Sequence, residues 1–348
     1  MTQVLYRKYR PLTFEEVEGQ EHVVRTLEGA ILSGHIGHAY LFTGPRGTGK
    51  TTMARLFAKA LNCADKKGHD PCNNCHTCNE INGNRFIDLI EIDAASNRGI
   101  DEIRNIQESA RVASSHGSWK IFIIDEVHML TPFAFNALLK VLEEPPSHVV
   151  FMLATTEPHK VIDTILSRVQ RFDFKKLNLN QIETKLSRIA RKEKISIDKD
   201  SVTAIAMASA GSLRDAENSL AKVMAYTEGE VTIKDTSEIL GIVPEDVNRK
   251  MLSALEEGNA NGAILTISEI SESGHDLDNF TGHFLSFLRA RLLNSFDPSK
   301  EPGTQTPEFL ARTIKVFIKA RSELRLSPLP QLPLELAVIE IANQQKMQ

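Results

Sequence analysis

The chain has 348 residues, more than a single compact core usually holds, so we expect two or three domains. Hydrophobic residues make up 41% and charged residues 25% of the chain, which is ordinary for a folded globular protein. With a formal net charge of −4, bulk charge does not identify the chain as a nucleic-acid binder. A local basic face that binds nucleic acid is still compatible with this charge.

The amino terminus and the longest apolar runs indicate the cellular compartment to expect. The segment MTQVLYRKYRPLTF is interrupted by Arg and Lys and lacks the apolar stretch of a signal peptide. The longest apolar runs, such as VVFMLA at 149–154, have the length of strands and not of membrane spans. We therefore expect a cytoplasmic protein without membrane contact.

Residues 39–177 alternate short β-rich runs with helical periodicity. The central runs are almost wholly apolar, as expected of parallel strands that are covered on both faces. Between them, residues 51–62 place apolar side chains on one helical face. This alternation predicts an α/β domain with a parallel sheet. The predicted strands are 39–44, 86–93, 120–126, 149–156 and 170–177.

From about residue 178 the strand pattern stops and two helical regions follow. Ser212 and Asp215 have the spacing of a capping box, and Thr306 with Pro307 would begin a helix after a Pro- and Gly-rich loop at 297–307. The clearest helices are predicted at 181–194, 200–210, 212–227, 261–273, 279–296 and 309–324. We expect three domains, at 1–177, 178–241 and 242–348.

A phosphate-binding motif follows the first strand. The segment GPRGTGKT at 44–51 matches G-x-x-x-x-G-K-[ST] and opens an amphipathic helix. Lys50 would reach the β- and γ-phosphates of ATP, and the Thr51 hydroxyl would ligate Mg²⁺. The alternative, a chance Gly-rich turn, fits the order strand, loop, helix poorly. The candidate ATP-binding residues are Gly44, Pro45, Arg46, Gly47, Thr48, Gly49, Lys50 and Thr51.

Two adjacent carboxylates end the strand in IFIIDEVH at 121–128. Asp125 fits a water-mediated Mg²⁺ role, and Glu126 fits a base that orients and deprotonates an attacking water. Thr155 and Thr156 close the next strand, where a hydroxyl could bond the γ-phosphate or that water. A solvated strand end is the alternative, which the upstream phosphate loop disfavours.

All four cysteines lie within sixteen residues, as Cys63, Cys72, Cys75 and Cys78. A reducing compartment disfavours disulfides, and the spacing C-x8-C-x2-C-x2-C favours tetrahedral zinc bound by four thiolates. Redox thiols are the alternative, since two C-x2-C pairs are present. His69 and His76 could replace a ligand. We expect a structural zinc-binding insertion at about 63–78.

Seven segments resemble the gamma/tau family of bacterial DNA polymerase III clamp-loader subunits, which belongs to the AAA+ class. The resemblance has good register from about residue 3 to 240. It implies an AAA+ P-loop NTPase domain, a small helical lid domain with the sensor-2 residue, and an all-α collar domain for oligomerisation. The segments are RKYRPLTFEEVEGQEHV at 7–23, GPRGTGKT at 44–51, IFIIDEVHML at 121–130, NALLKVLEEPP at 136–146, LATTEP at 153–158, LSRVQRF at 166–172 and GSLRDA at 211–216.

The resemblance also implies roles for single residues. Arg168 looks like the arginine finger that acts in trans on a neighbouring subunit's ATP. Arg214 looks like the sensor-2 arginine, and Thr155 matches sensor 1. The stretch that flanks adenine in this class corresponds to Arg10, Pro11 and Val17. Each arginine could instead be an ordinary surface or salt-bridge residue.

The implied function is an ATP-hydrolysing motor that opens a sliding clamp and loads it on primed-template DNA during replication. The implied partners are delta and delta-prime type subunits, further copies of the chain, the clamp and DNA. Candidate DNA contacts are Arg98, Arg104 and Lys140, although a solvated helix face explains them almost as well. No set of separated acidic residues suggests a polymerase site.

Two alternative functions stay open. Another AAA+ motor, such as a branch-migration helicase or an archaeal-type clamp-loader small subunit, would lack the cysteine segment. A non-hydrolysing stator or scaffold subunit would have a broken phosphate loop or no glutamate at position 126. Longer members of the family carry further carboxy-terminal domains, so we expect this chain to be a natural short form or a truncation.

Overall fold

The computed structural model describes residues 4–227, 229–296 and 306–345. The chain divides into two compact units. One comprises residues up to Ser196 together with Ile205–Met224, and the other comprises Ile197–Ala204 with residues from Ala225 onward. The three-domain division with boundaries at 177 and 241 stays a prediction. The loop expected at 297–307 lies outside the described residues as far as position 305.

The first unit is built on a five-stranded sheet with the order β2-β3-β4-β1-β5, in which every neighbouring pair is parallel. The predicted α/β sheet is confirmed, with a later start for the second strand and an earlier end for the fifth. The strands are β1 Ala39–Thr43, β2 Leu89–Asp93, β3 Lys120–Asp125, β4 Val149–Thr155 and β5 Gln170–Asp173.

Helices precede and connect these strands. They are α1 Leu5–Lys8, α2 Glu21–Ser33, α3 Lys50–Asn62, α4 His76–Asn82, α5 Ile100–Arg111, α6 Pro132–Glu143, α7 Asp163–Leu166 and α8 Leu179–Glu193. Short 3-10 turns occupy Phe14–Glu16, Val127–Met129 and Pro158–Lys160. Two further helices, α9 Lys199–Ala208 and α10 Leu213–Tyr226, are each divided between the two units. The predicted Ser212 cap forms, because Ser212 Oγ accepts a hydrogen bond from the Asp215 backbone N–H at 3.3 Å.

The central strands are buried because alternate side chains enter cores on opposite faces of the sheet. On one face, Leu41, Phe122 and Leu153 pack with side chains of α5 and α6. On the other face, Phe42 and Met152 pack with side chains of α2 and α3. The near-continuous apolar runs seen in the sequence therefore have a direct structural cause.

Parallel strands bring their carboxyl ends to one edge of the sheet. Thr43 at the end of β1 pairs in register with Thr155 at the end of β4, and Asp93 pairs with Asp125 at the ends of β2 and β3. The phosphate loop follows β1 directly. The predicted phosphate loop, carboxylates and threonines therefore meet at the same edge.

The second unit is helical where the structure describes it. Its core contains the stacked pair Phe280 and Phe284, with ring centroids 5.9 Å apart, and Phe317 packs edge-on against Phe284 at 5.0 Å. No helix in the described ranges is long and apolar enough to cross a bilayer. The helices are α11 Ile233–Leu240, α12 Glu245–Glu256, α13 Ala260–Glu272, α14 Leu277–Asn294, α15 Pro307–Leu324 and α16 Leu332–Gln345.

Candidate nucleotide site and four-cysteine cluster

The phosphate loop turns back toward the start of α3 through glycines with positive φ. Gly44 has φ of 140°, and an added Cβ would collide with the carbonyl oxygen of Phe174. Gly47 has φ of 75°, and an added Cβ there would collide with the Ser212 hydroxyl. Because both positions combine left-handed backbone with close neighbours, glycine is required for geometry and for space.

Lys50 is 6% exposed, and its ammonium lies folded within the loop. Its Nζ donates to the carbonyl oxygens of Gly44 at 2.7 Å and Pro45 at 3.0 Å. Burial lowers the pKa of Lys50, while the charges of Glu126 and Asp125 act in the opposite direction. The loop therefore holds a desolvated cation beside its exposed N–H groups.

The start of α3 is tied to the end of β3. The Thr51 hydroxyl donates to Asp125 Oδ2 at 2.6 Å. A hydroxyl and a carboxylate oxygen this close form the donor set that a hard cation such as Mg²⁺ prefers beside phosphates. The residues present therefore fit the ion that the sequence motif implies.

Glu126 has left-handed backbone, with φ of 48°. Its Oε2 accepts hydrogen bonds from the Thr156 N–H at 3.1 Å and the Thr156 hydroxyl at 2.9 Å. His128 Nδ1 lies 3.4 Å from the same oxygen and 2.9 Å from Thr155 Oγ1. Thr155 Oγ1 also accepts from the Glu157 N–H at 3.0 Å. The predicted base is thus held by side chains from the end of the neighbouring strand.

The start of α10 touches the phosphate loop directly. The Leu213 N–H donates to the Gly47 carbonyl at 3.1 Å. The Arg214 guanidinium lies over the Tyr6 ring, 4.7 Å from its centroid, a cation–π distance. Arg214 therefore stands beside the phosphate loop, although it is far from it in sequence.

One cavity of about 310 Å³ collects most of the predicted nucleotide residues. Arg46 to Thr51 line its phosphate-loop side together with Asp125, Glu126 and Arg214. The three residues predicted to flank adenine also line it, namely Arg10, Pro11 and Val17. Three further predicted residues lie next to the cavity lining. Lys50 contacts the carbonyl oxygens of Gly44 and Pro45, and Thr155 contacts His128.

Arg168 lies elsewhere. Its guanidinium donates to the Thr164 carbonyl at 2.8 Å and pairs with Glu143 at 2.9 Å. It precedes β5, whereas the phosphate loop follows β1, so the two stand at opposite edges of a parallel sheet. Each of these strands spans roughly 15 Å, and Arg168 cannot reach the cavity of its own chain.

The four cysteines come together. Their sulfur atoms all lie within 4.8 Å of one another, and the cysteines form no disulfide. Backbone N–H groups donate to the sulfurs, from Cys72 to Cys63 at 3.2 Å and from Cys75 to Cys72 at 3.3 Å. This arrangement fits a four-thiolate metal centre.

The surroundings of the cluster shift the pKa values of two of its thiols in opposite directions. Backbone N–H groups of Asn74 and Cys75 lower the pKa of Cys72 to about 6, whereas burial raises the pKa of Cys78.

The two histidines that the sequence offered as substitute ligands each contact a carboxylate instead. His69 Nε2 lies 3.0 Å from Glu28, and His76 Nδ1 lies 3.4 Å from Glu80.

The three candidate DNA contacts lie on α5, on α6 or just before α5. Arg98 Nε donates to the Ala95 carbonyl at 2.9 Å, and Arg104 pairs with Asp101 at 3.2 Å within its own helix. Lys140 is exposed on α6. Their role in DNA contact stays a prediction.

Sequence reasoning missed three residues of the nucleotide cavity and its surroundings. His128 stands two positions after Glu126, so its place just after the acidic pair could have identified it as a candidate site residue. Tyr6 lies four residues before Arg10 and directly before the matched segment 7–23. Glu217 gave no signal, because a carboxylate on a helix is usually exposed, yet it is 4% exposed and lines the cavity.

The parallel sheet, the phosphate loop and the strand-end carboxylates define a P-loop NTPase with the AAA+ fold. The RuvB Holliday junction branch migration motor of Thermotoga maritima shares this fold, with a TM-score of 0.51 and 18% identity over 71% of this chain and 79% of RuvB. Residues 19–178 match the family model described as DNA polymerase III, delta subunit. Residues 181–226 match the DNA polymerase III clamp loader subunit, ATPase lid domain.

Relatives in sequence identify the family. The DNA polymerase III subunit gamma of Buchnera aphidicola subsp. Acyrthosiphon pisum is 34% identical over 98% of this chain and 99% of its own length. The chain belongs to the DNA polymerase III gamma/tau family. The tau subunit of Bacillus subtilis is 40% identical over 98% of this chain, and that of Escherichia coli 41% over 85%. The chain spans 63% and 46% of those two proteins.

Proposed function

We propose that this chain is the ATP-hydrolysing motor subunit of a bacterial clamp loader, which opens a sliding clamp and loads it on primed DNA. One observation carries the proposal. A complete phosphate loop, two strand-end carboxylates and an arginine from α10 surround one cavity in a member of the DNA polymerase III gamma/tau family. A stator would not need both carboxylates.

ATP would bind with its phosphates on the loop Gly44–Thr51. Lys50 Nζ would exchange its two carbonyl partners for phosphate oxygens, which suit a desolvated ammonium better. Thr51 and Asp125 would hold Mg²⁺, which when bound offsets negative charge on the phosphates. Arg10, Pro11 and Val17 would flank the adenine.

Glu126 would orient and deprotonate the attacking water. Thr156 and His128 hold its carboxylate, so Glu126 must exchange a hydrogen bond before it can accept a proton from water. Thr155 would sense the γ-phosphate through the hydroxyl that now contacts His128. Hydrolysis is thereby linked to a local rearrangement at the ends of β3 and β4.

Arg168 would act in trans, since the sheet separates it from its own cavity. A neighbouring copy would receive it beside the γ-phosphate, where a planar cation stabilises developing charge. Arg214 would contact the phosphates of its own chain from α10. Its position next to Gly47 supports that role.

Zinc would be held by Cys63, Cys72, Cys75 and Cys78. The ion would supply a closed tetrahedral link that fixes the segment 63–78 after α3. The other proposed partners are delta and delta-prime type subunits, further copies of the chain, the sliding clamp and primed-template DNA. Arg98, Arg104 and Lys140 are the proposed DNA contacts, and the cytoplasm is the proposed location.

The test is the ATPase rate of the chain alone and with delta and delta-prime subunits, clamp and primed DNA. We expect strong stimulation only by the full set, and none for Lys50→Ala or Glu126→Gln. Lys50→Ala should lose ATP binding, whereas Glu126→Gln should bind ATP normally. Stimulation by Holliday junctions in place of primed DNA would contradict the proposal and favour a branch-migration motor.

A further inference from the structure

Glu217 lies one helical turn beyond Leu213 on α10 and lines the nucleotide cavity. Its side chain is 4% exposed. Within residues 4–227, 229–296 and 306–345, no group donates a hydrogen bond to its carboxylate, and no cation lies within ion-pairing distance. A buried polar group without a partner is unfavourable in a folded protein, so a ligand with complementary groups would satisfy this carboxyl.

Glu217 lies one turn of α10 beyond the contact with the phosphate loop, in the cavity that the proposed adenine-flanking residues Arg10, Pro11 and Val17 also line. The Leu213 N–H is anchored to Gly47 at 3.1 Å. Positions four apart share a helix face, so Glu217 lies roughly 6 Å further along the axis from the phosphate loop. Val17 and Leu177 line the same cavity and offer apolar walls.

Burial raises the pKa of Glu217 to about 7, and the nearby charges of Lys185 and Arg10 lower it by less. Lys185 Nζ is directed to the Tyr9 carbonyl at 3.3 Å, so it leaves the carboxyl without a direct partner. The charged and titratable groups around this part of the cavity are Arg10, Lys185, Glu18, Tyr6, Tyr9 and Arg214.

A carboxyl group presents two different faces to a base. When neutral it has one donor and one acceptor, and when ionised it has acceptors only. Adenine offers an amino donor beside a ring-nitrogen acceptor, so the neutral acid matches both. Guanine offers two donors, N1–H and the N2 amino group, which match the ionised form.

We propose that Glu217, in its neutral form, reads the base edge of adenine and is a specificity-determining residue for ATP over GTP. The proposal rests on ATP binding at the phosphate loop, as proposed above. Ionisation of Glu217 then weakens adenine recognition and favours guanine, so the preference for ATP falls as pH rises through neutrality.

The experiment is to measure Kd for MgATP and MgGTP with the full chain from pH 6 to pH 8. The ratio of the two constants cancels titration of the triphosphate itself. We expect the preference for ATP to fall at least about tenfold over this range, because the neutral fraction of a group with a pKa of about 7 falls about tenfold while the ionised fraction, which favours GTP, rises.

Two variants at this position and one control sharpen the test. Glu217→Gln has a fixed donor and acceptor, so it should keep the preference for ATP and make it independent of pH. Glu217→Leu should lose the preference at every pH while it still binds triphosphate. Asp215→Asn, which changes an exposed carboxylate on the same helix, should behave as the wild type.

The outcomes separate this inference from the proposed function. ATP binding that Lys50→Ala abolishes, combined with a preference that is flat in pH for the wild type, overturns the role of Glu217 alone. A folded Glu217→Leu variant, checked by circular dichroism, that keeps the wild-type preference overturns it too. A wild-type chain that binds neither nucleotide overturns both.

Discussion

Asp88 and Glu217 are both buried carboxylates, but they differ in what satisfies them. Asp88 is 1% exposed and accepts hydrogen bonds from the backbone N–H groups of Ser115, His116 and Gly117 at 2.7–3.0 Å. Burial alone would raise the pKa of Asp88, but these donors outweigh it and the pKa lies below its usual value. Asp88 therefore fixes the turn before β3, whereas no hydrogen bond satisfies Glu217 among the described residues.

Asp88→Ala should destabilise the chain by about 2–4 kcal/mol, since three backbone N–H groups lose their buried acceptor. Because the pKa of Asp88 is depressed on folding, its contribution is present above the usual aspartate pKa and is lost as pH falls through the folded value. Asp88→Asn should therefore flatten the acid limb of the stability curve, measured by urea unfolding between pH 7 and pH 3. The exposed Asp200→Asn is the control, and equal stability of Asp88→Ala and wild type at pH 7 would refute this.

The segment from Cys63 to α4 is held by few core side chains. Within it, Cys78 and Ile81 are buried, while most other residues are exposed or half-buried. Lys59 of α3 donates to Asn73 at 2.5 Å and to Asn82 at 3.1 Å, which ties the segment to the helix that begins at the phosphate loop. The proposed zinc would stabilise this segment, since structural zinc contributes on the order of 10 kcal/mol in small modules.

Cys75→Ser, or treatment with a zinc chelator, should remove the metal and loosen this segment without removing nucleotide binding. We expect about one zinc per wild-type chain by elemental analysis, and much less in the variant. Limited proteolysis should then cleave within 63–84 far faster, while the Kd for ATP stays close to wild type. Wild-type protein that holds no zinc and resists proteolysis equally would show that the sulfurs form no metal centre.

The two edges of the sheet, at the carboxyl and the amino ends of its strands, carry different functional candidates. The phosphate loop and carboxylates occupy the edge at which β1, β3 and β4 end. Arg168 stands at the other edge, paired with Glu143 at 2.9 Å. With the proposed ATP site and the proposed finger at opposite edges, a neighbouring copy would have to bring Arg168 to the site, and repetition of that contact would give a head-to-tail assembly.

Mixing two inactive variants tests this arrangement. Arg168→Ala and Lys50→Ala should each abolish DNA-stimulated ATPase in the full assembly, since a finger contributes on the order of 10³ in kcat. Mixed assemblies should recover roughly a quarter of the wild-type rate, the chance that an intact loop meets an intact finger at random. Arg171→Ala, a nearby exposed arginine, should be fully active. Mixtures that recover nothing would place the finger in cis or exclude it.

Local patterns of the sequence were sufficient for much of the fold and of the site. Apolar runs predicted the central strands β1, β3 and β4, because strands buried on both faces leave few polar positions. The partly exposed β2 and the largely exposed β5 were predicted as β-rich runs that alternate with helices. The phosphate loop, Asp125 and Glu126 could be predicted to share one site because each follows or ends a strand of a parallel sheet, and the structure places them around one cavity. The helices predicted beyond residue 178 are confirmed, including the start at Thr306 and Pro307, because caps and periodicity are local features.

What remained hidden depends on contacts between distant positions. The hydrogen bonds that hold Glu126 come from Thr156, thirty residues away, and the burial of Glu217 follows from how α10 packs near Tyr9 and Lys185. No short window of sequence carries this information, since desolvation is a property of the folded surroundings.

The sequence by itself determined the class of fold, the phosphate loop, the metal-binding spacing and the family, because each is written in residues that are close together along the chain. Only the tertiary structure decided which residues share the cavity, that Arg168 is excluded from it, and that Glu217 is a buried acid with no hydrogen-bond or ion-pair partner among the described residues. These depend on strand order and helix packing, which bring distant residues within the few ångströms over which hydrogen bonds and desolvation act.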